Sequence, residues 1–149
     1  MAARAPASRR LSRRAERIVE DGLARLNDER LRRILRTAAG QRVLFTGLAL
    51  RLRPAAARGV STSIQFVLTD DGTPAGTWTV GLDGVGSARS RRHSANDAAV
   101  TLTLELIDLG RMAVGRLDPG VAVISGKLDL AGDYGVLLKL SGLLTPKRS

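Results

Sequence analysis

Apolar and polar residues alternate through the middle of the chain, while helical spacing governs both ends. In 61–69, Ile64, Phe66 and Leu68 alternate with Gln65 and Thr69, the period of a strand with one buried face. Asp70-Asp71-Gly72 then marks a turn. In 77–82, Trp78, Val80 and Leu82 alternate with Thr77, Thr79 and Gly81. Asp83-Gly84 marks a second turn, and a short third strand is expected over 87–91. After a polar loop at 94–97, Val100, Leu102, Leu104 and Leu106 alternate with Thr101, Thr103 and Glu105. One apolar and one polar face predict a mainly antiparallel sheet covered on one side. A fifth strand is expected over 127–132, with Leu128 and Leu130 inward.

Helical spacing starts near Ala15, with Ile18, Val19, Leu23 and Leu26. A second helix is expected over 28–38, with Leu31, Ile34 and Leu35 on one face and Arg30, Arg32, Arg33 and Arg36 around the rest. Gly40 reads as its stop. The segment 43–52 fits either a helix or a strand. Pro54 is expected to open a short helical turn over 55–58, ended by Gly59. Beyond the fourth strand, 107–114 predicts a helix with Leu106, Leu109, Met112 and Ala113 inward and Gly115 as its stop. Asp118-Pro119 starts another through Ile124, ended by Gly126. A last helix is expected over 134–144, and Pro146 ends the fold. Leu137, Leu140 and Leu144 share one face of that helix, while Val136 and Leu138 point elsewhere. This is more apolar surface than one packed face requires. The reading stays open between dense core packing and a wall that lines a ligand.

Composition narrows the chemistry. Aromatics make up 3% of the 149 residues, so the core must be built from aliphatic side chains, which suit hydrocarbon better than stacked bases or flavins. With no cysteine and a single histidine, His93, thiol catalysis and zinc or iron sites built on several histidines are excluded. No metal or cofactor is expected. The longest apolar runs fall far short of a membrane span, and the basic start is not followed by a signal-peptide core. A soluble, cytoplasmic protein is the expectation, with peripheral membrane association left open.

Charge divides the chain. Residues 1–60 hold 15 arginines against five acids, whereas 61–149 balance nine basic residues against nine acidic ones. The acid-free stretch 1–14 is expected to be a disordered basic tail. Its Arg9, Arg10, Arg13 and Arg14 are candidates for an anionic membrane surface. Nucleic acid is a weaker candidate partner, because no aromatic is interleaved among residues 1–44.

The motifs for nucleotide chemistry do not hold. Gly120–Lys127 has five residues between its glycines where a phosphate loop has four, and Leu128 follows where that loop needs a hydroxyl. Gly84 and Gly86 lack a third glycine and join two strands, which reads as a hairpin turn. His93 stands in a polar loop and reads as solvent-exposed. Asp108, Asp118, Asp129 and Asp133 fall near element ends, where caps and turns use them. No catalytic set is evident, so no enzyme activity is expected.

The order of these fragments resembles the sterol carrier protein 2 family over about residues 54–144. The resemblance rests on 53–60 (RPAAARGV), Ile64–Leu68, Trp78-Thr79-Val80, and 97–104 (DAAVTLTL). It continues through Asp108-Leu109 and 115–119 (GRLDP) to 125–133 (SGKLDLAGD) and an apolar helix. It implies an α+β fold in which helices cover one face of a five-stranded, mainly antiparallel sheet and enclose an apolar tunnel. It also implies binding, with or without transfer, of sterols, fatty acids, acyl-CoA or phospholipids. The domain organisation expected on this basis is a basic tail at 1–14, a helical basic extension at 15–53, and the lipid-binding unit at 54–146. The candidate wall residues are Phe66, Trp78, Leu102, Leu104, Met112, Leu128, Leu137, Leu140 and Leu144. Two other readings stay open: a non-catalytic accessory or dimerisation scaffold with a collapsed cavity, and binding of nucleic acid or anionic membrane through the arginine-rich start. A homodimer is left open as well. The chain ends Lys147-Arg148-Ser149, not in the peroxisomal Ser-Lys-Leu of some members.

Burial contributes about 0.8 kcal/mol per methylene, so a ten-carbon chain gains on the order of 8 kcal/mol before association costs. Leu140→Glu is expected to abolish fatty-acid binding while leaving some of the fold. Unchanged affinity in a fluorescent fatty-acid titration removes the last helix from the binding site.

Overall fold

The computed structural model describes residues 27–95 and 97–136. The tail at 1–14, the helix expected from Ala15, and Leu137, Leu140 and Leu144 lie outside the described residues. Helices α1 (Asp28–Leu35) and α2 (Ala38–Ala57) precede strands β1 (Ser61–Asp70), β2 (Thr73–Asp83), β3 (Ala88–Arg91) and β4 (Val100–Glu105). Helices α3 (Leu106–Ala113) and α4 (Pro119–Ile124) follow, then β5 (Leu128–Gly132). Tyr134–Val136 are again helical.

The five strands form one sheet in the order β3-β2-β1-β4-β5. The β1–β4 pair is parallel and the other three are antiparallel. The sheet is therefore mixed, because the chain must cross from one edge, β3, to reach the far side of β1. Alternation behaves as the sequence predicts. Ile64, Phe66 and Leu68, then Val100, Leu102 and Leu104, are buried on the helix-covered face. The β1–β2 hairpin closes through Asp71-Gly72, both at positive φ, as a two-residue turn that follows the twist of the strands requires.

The segment 43–52, ambiguous in sequence, is helical. It forms part of the single 20-residue helix α2. Its buried positions, Gln41, Leu44, Phe45, Leu48, Ala49, Leu52, Ala55 and Ala56, recur every three or four residues. Val43, exposed on the opposite face, blurs that stripe in the sequence. Two expectations are corrected here. Pro54 does not open a new helical turn but sits inside α2, where it withholds one N–H from the carbonyl four residues back. The 53/54 division between extension and lipid-binding unit thus falls inside a continuous helix. Gly40 is not a helix stop but the third residue of α2, which follows α1 after a two-residue elbow. A Cβ at Gly40 would lie 2.0 Å from the carbonyl oxygen of Ile34, so only glycine allows this elbow. Thr37 caps α2, accepting from Gly40 N at 3.0 Å while its hydroxyl donates to Ile34 O at 2.7 Å.

One buried polar side chain joins these elements. Gln41 donates through Nε2 to the carbonyls of Leu35 and Ala75, both at 2.9 Å, and its Oε1 accepts from Trp78 Nε1 at 2.9 Å. The Ala75 carbonyl is available because the β1–β2 register shifts there: Leu68 pairs with Gly76 and Thr69 with Pro74, leaving Ala75 as a bulge.

Helix α1 is clamped at both ends. Arg32 and Arg36 bind Asp70 at 2.7 Å, and Arg32 also reaches Asp71, at the β1–β2 turn. At its other end Asp28 accepts from Arg111 of α3 at 2.7 Å and from Arg116 at 3.5 Å. Between the clamps, Leu31 and Leu35 press on Gly110 of α3, where a Cβ would come within 2.9 Å of both. Guanidinium hydrogen bonds hold both carboxyls below their usual range, Asp70 through Arg36 and then Arg32, and Asp28 through Arg111. Among the described residues, no helix is long and apolar enough to cross a membrane.

Gln41→Leu removes three hydrogen bonds and strands Trp78 Nε1 and two carbonyls, so it is expected to cost roughly 2–4 kcal/mol in urea unfolding. A loss under about 0.5 kcal/mol, the usual effect at a surface position, would show that the amide does not organise the core. The lowered carboxyl of Asp70 adds stability that is complete above the unfolded value of 3.8 and is lost as pH falls from there through its folded value. The urea midpoint of the native chain is therefore expected to fall more steeply below about pH 4 than that of Asp70→Asn. Parallel slopes would remove this clamp from the account.

Candidate functional site

The inner, helix-covered face of the sheet is a ruled apolar surface. Register places Trp78, Phe66, Leu102 and Leu130 in one row across β2, β1, β4 and β5. Leu68, Leu104 and Leu128 form the next row, and Val80, Ile64 and Val100 the one on the other side. Phe45 of α2 lies over this grid. Its ring stacks on Trp78 at 4.8 Å between centroids and 12° between planes, and meets Phe66 edge-on at 5.2 Å. Offset and edge-on contacts of this kind match the ring quadrupoles.

Six of the nine wall residues expected from sequence fall within the described residues, and all six are buried. Phe66, Trp78, Leu102, Leu104 and Leu128 belong to the grid, while Met112 enters the same core from α3. Ile64, Leu68, Val80 and Val100 belong to that surface too. The alternation that singled out their neighbours already marked them. Phe45 carries no such signal, since it lies in the segment whose periodicity is ambiguous.

No buried side-chain nitrogen or oxygen lacks a partner among the described residues. Among the described residues, the polar side chain bonded to this wall is the Gln41 amide, which Trp78, Leu35 and Ala75 already occupy. A molecule lying on this face would meet carbon almost everywhere, so shape and apolar area would govern its affinity, with little to select a headgroup.

Three of the four aspartates singled out by sequence make local structural contacts. Asp118 caps α4, accepting from Val121 N at 3.1 Å, and Asp133 accepts from Gly135 N at 2.9 Å. Asp108 is buried in the first turn of α3 and pairs with Arg111 at 3.1 Å. Asp129 is exposed on β5. Among the described residues no cluster of His, Cys, Asp and Glu could hold a metal. The segment Gly120–Lys127 is helix α4 and its stop, with Lys127 N bonded to Ala122 O at 2.9 Å and Gly126 at positive φ. Gly84 and Gly86 lie in the β2–β3 hairpin turn, held by Asp83.

Known proteins share this arrangement. Hydroxysteroid dehydrogenase-like protein 2 of Xenopus laevis is 28% identical over 100 residues, which is 67% of this chain and 24% of that protein. The chain thus spans about a quarter of the length of that relative. Among solved structures, the stereoselective inverting sec-alkylsulfatase from Pseudomonas sp. superposes with a TM-score of 0.58 at 28% identity, over 70% of this chain and 16% of that one. Sterol carrier protein 2 from Aedes aegypti, in complex with the C16 fatty acid palmitate, superposes with a TM-score of 0.56 at 24% identity, over 68% of this chain and 90% of that one. The profile of the SCP-2 sterol transfer family matches residues 44–145. With that match covering most of the chain, and with the sheet order and one-sided apolar wall described above, the chain belongs to the SCP-2 sterol transfer family.

Proposed function

We propose that this chain binds an apolar lipid, such as a fatty acid, sterol, acyl-CoA or phospholipid, between the inner face of its sheet and its helices, and holds it without transforming it. The carrying observation is the carbon-lined grid centred on Phe66, Trp78, Leu102 and Leu104, joined to membership of a family with a palmitate-bound relative. In this reading Phe66, Trp78, Leu102, Leu104, Met112 and Leu128, with Leu137, Leu140 and Leu144, are the wall contacts. The folding unit reaches back beyond Pro54 to Asp28, because α1 and all of α2 share one core with the sheet. Passage of the ligand between membranes is a further step of the same proposal.

The second reading, an accessory module with a closed core, has one observation in its favour. Phe45 stacks on Trp78 and meets Phe66, so three rings already fill part of the wall. A ligand there would have to slide beside this stack or displace Phe45.

Trp78 is the sole tryptophan of the chain, so it reports on the wall directly. Titration of the full chain with a brominated sixteen-carbon fatty acid is expected to quench its emission saturably, and unbrominated palmitate to restore it. Unaltered emission, together with a stable dimer free of extractable lipid, would overturn lipid binding in favour of the closed accessory module.

A further inference from the structure

The face of the sheet turned away from the helices carries a cleft of about 530 Å³ that the lipid reading does not use. Register places Ser63, Gly81 and Arg89 in one row across β1, β2 and β3, and Gln65, Thr79 and Arg91 in the next. The connection from β3 to β4 crosses over these rows. It is pinned by Thr79 Oγ1 donating to His93 O at 2.9 Å, by Ala95 N donating to Gln65 Oε1 at 2.6 Å, and by Ala99 N donating to Ser63 O at 3.0 Å. Strap and sheet border an open cleft lined by Ser63, Thr79, Ser87, Arg89, Arg91 and His93.

Three features give this cleft a chemistry. Arg89 and Arg91 stand two residues apart on one strand, so both point to the same face, with Cα atoms about 7 Å apart. Neither is in a salt bridge within 4.0 Å among the described residues, unlike Arg32, Arg36 and Arg111 on the helices, although the charge of Arg89 is felt by the Asp83 carboxylate. Gly81, between Ser63 and Arg89, leaves the floor open, since a Cβ there would meet nothing within 4 Å. Two carboxylates, Asp83 and Asp97, also border the space. Asp83 is committed to its own turn, where Oδ1 accepts from Val85 N and Ser87 N, both at 2.9 Å. Two arginines, His93, Ser63 and Ser87 thus border the open floor, with the Asp97 carboxylate on the same rim.

The geometry points to a binding site for a phosphate group on the outer face of the sheet, held by Arg89 and Arg91 with Ser63, Ser87 and His93 around it. Paired guanidinium forks suit the several oxygens of a phosphate better than a carboxylate's two. The size of the cleft suits a small phosphorylated molecule or a phospholipid headgroup.

The test is an amide-shift titration of the isotopically labelled full chain with inorganic phosphate. Saturating shifts are expected at Thr79, Gly81, Arg89, Arg91 and Ala95. The double variant Arg89→Gln/Arg91→Gln is expected to bind at least tenfold more weakly. Gly81→Asp sets a carboxylate on the open floor, where its Cβ would meet nothing within 4 Å, so it should give the same loss even if the double variant fails to fold. Shifts that stay linear, that fall only on other arginines of the chain, or that survive Gly81→Asp would overturn the site. Co-sedimentation with phosphatidylcholine vesicles containing phosphatidic acid identifies the source. Vesicle binding lost in Gly81→Asp assigns the phosphate to a lipid headgroup. Vesicle binding retained, with phosphate binding lost, assigns it to a free phosphorylated compound.

Discussion

The side-chain amide of Gln41 lies in the apolar interior and uses both donors and one acceptor position on three residues, one at the end of α1 and two on β2. A buried amide left unpaired would cost more than most single contacts return, so its partners must be present together. The end of α1 must present the Leu35 carbonyl, the β2 bulge must present that of Ala75, and the Trp78 ring must turn its N–H toward α2. Satisfying all three fixes where α2 crosses the sheet, and with it the position of Phe45 over Trp78 and Phe66. This one polar group thereby ties α2 to the end of α1 and to β2.

Two arginines of the basic first sixty residues take on a different meaning in three dimensions. Arg32 and Arg36 do not serve as free surface charge. They close on Asp70 and Asp71, which belong to the charge-neutral part of the chain. Arg111 and Arg116 reciprocate by closing on Asp28. These ion pairs are partly exposed, and pairs of that kind contribute modestly to stability. Their larger effect is to set the direction of α1, which brings Leu31 and Leu35 down onto Gly110.

The two faces of the sheet offer separate chemistries. Each strand sends alternate residues to opposite sides, so Phe66 and Gln65, or Trp78 and Thr79, are neighbours in the chain yet face different environments. The inner side is carbon and accepts apolar area. The outer side carries hydroxyls, an amide and two arginines under a pinned strap. A change on one face therefore need not disturb the other.

Most of the sheet was legible from the chain alone, because period-two alternation reports burial directly wherever one face is covered. Strand positions and the buried Phe66, Trp78, Leu102, Leu104 and Leu128 follow from that pattern, the hairpin turns from their Asp-Gly pairs, and the two short helices after β4, with Met112, from helical spacing. The family was legible as well, from the order of short fragments such as those around Trp78 and at 125–133. Three features were not. Segment 43–52 is apolar on more than one face, so periodicity could not separate helix from strand until packing against β2 and β3 selected the helix. Gly40 and Pro54 read as punctuation by residue type, but a close approach to Ile34 and a continuous core override those local preferences. The parallel β1–β4 pairing, the Gln41 triad and the outer cleft join residues tens of positions apart. The sequence by itself determined which strand residues are buried and where the hairpin turns and the short helices after β4 lie, since alternation, capping and turn chemistry act over a few residues. Only the tertiary structure decided which rows they share and which charges meet, because strand order, register and helix crossing depend on contacts that no local pattern encodes.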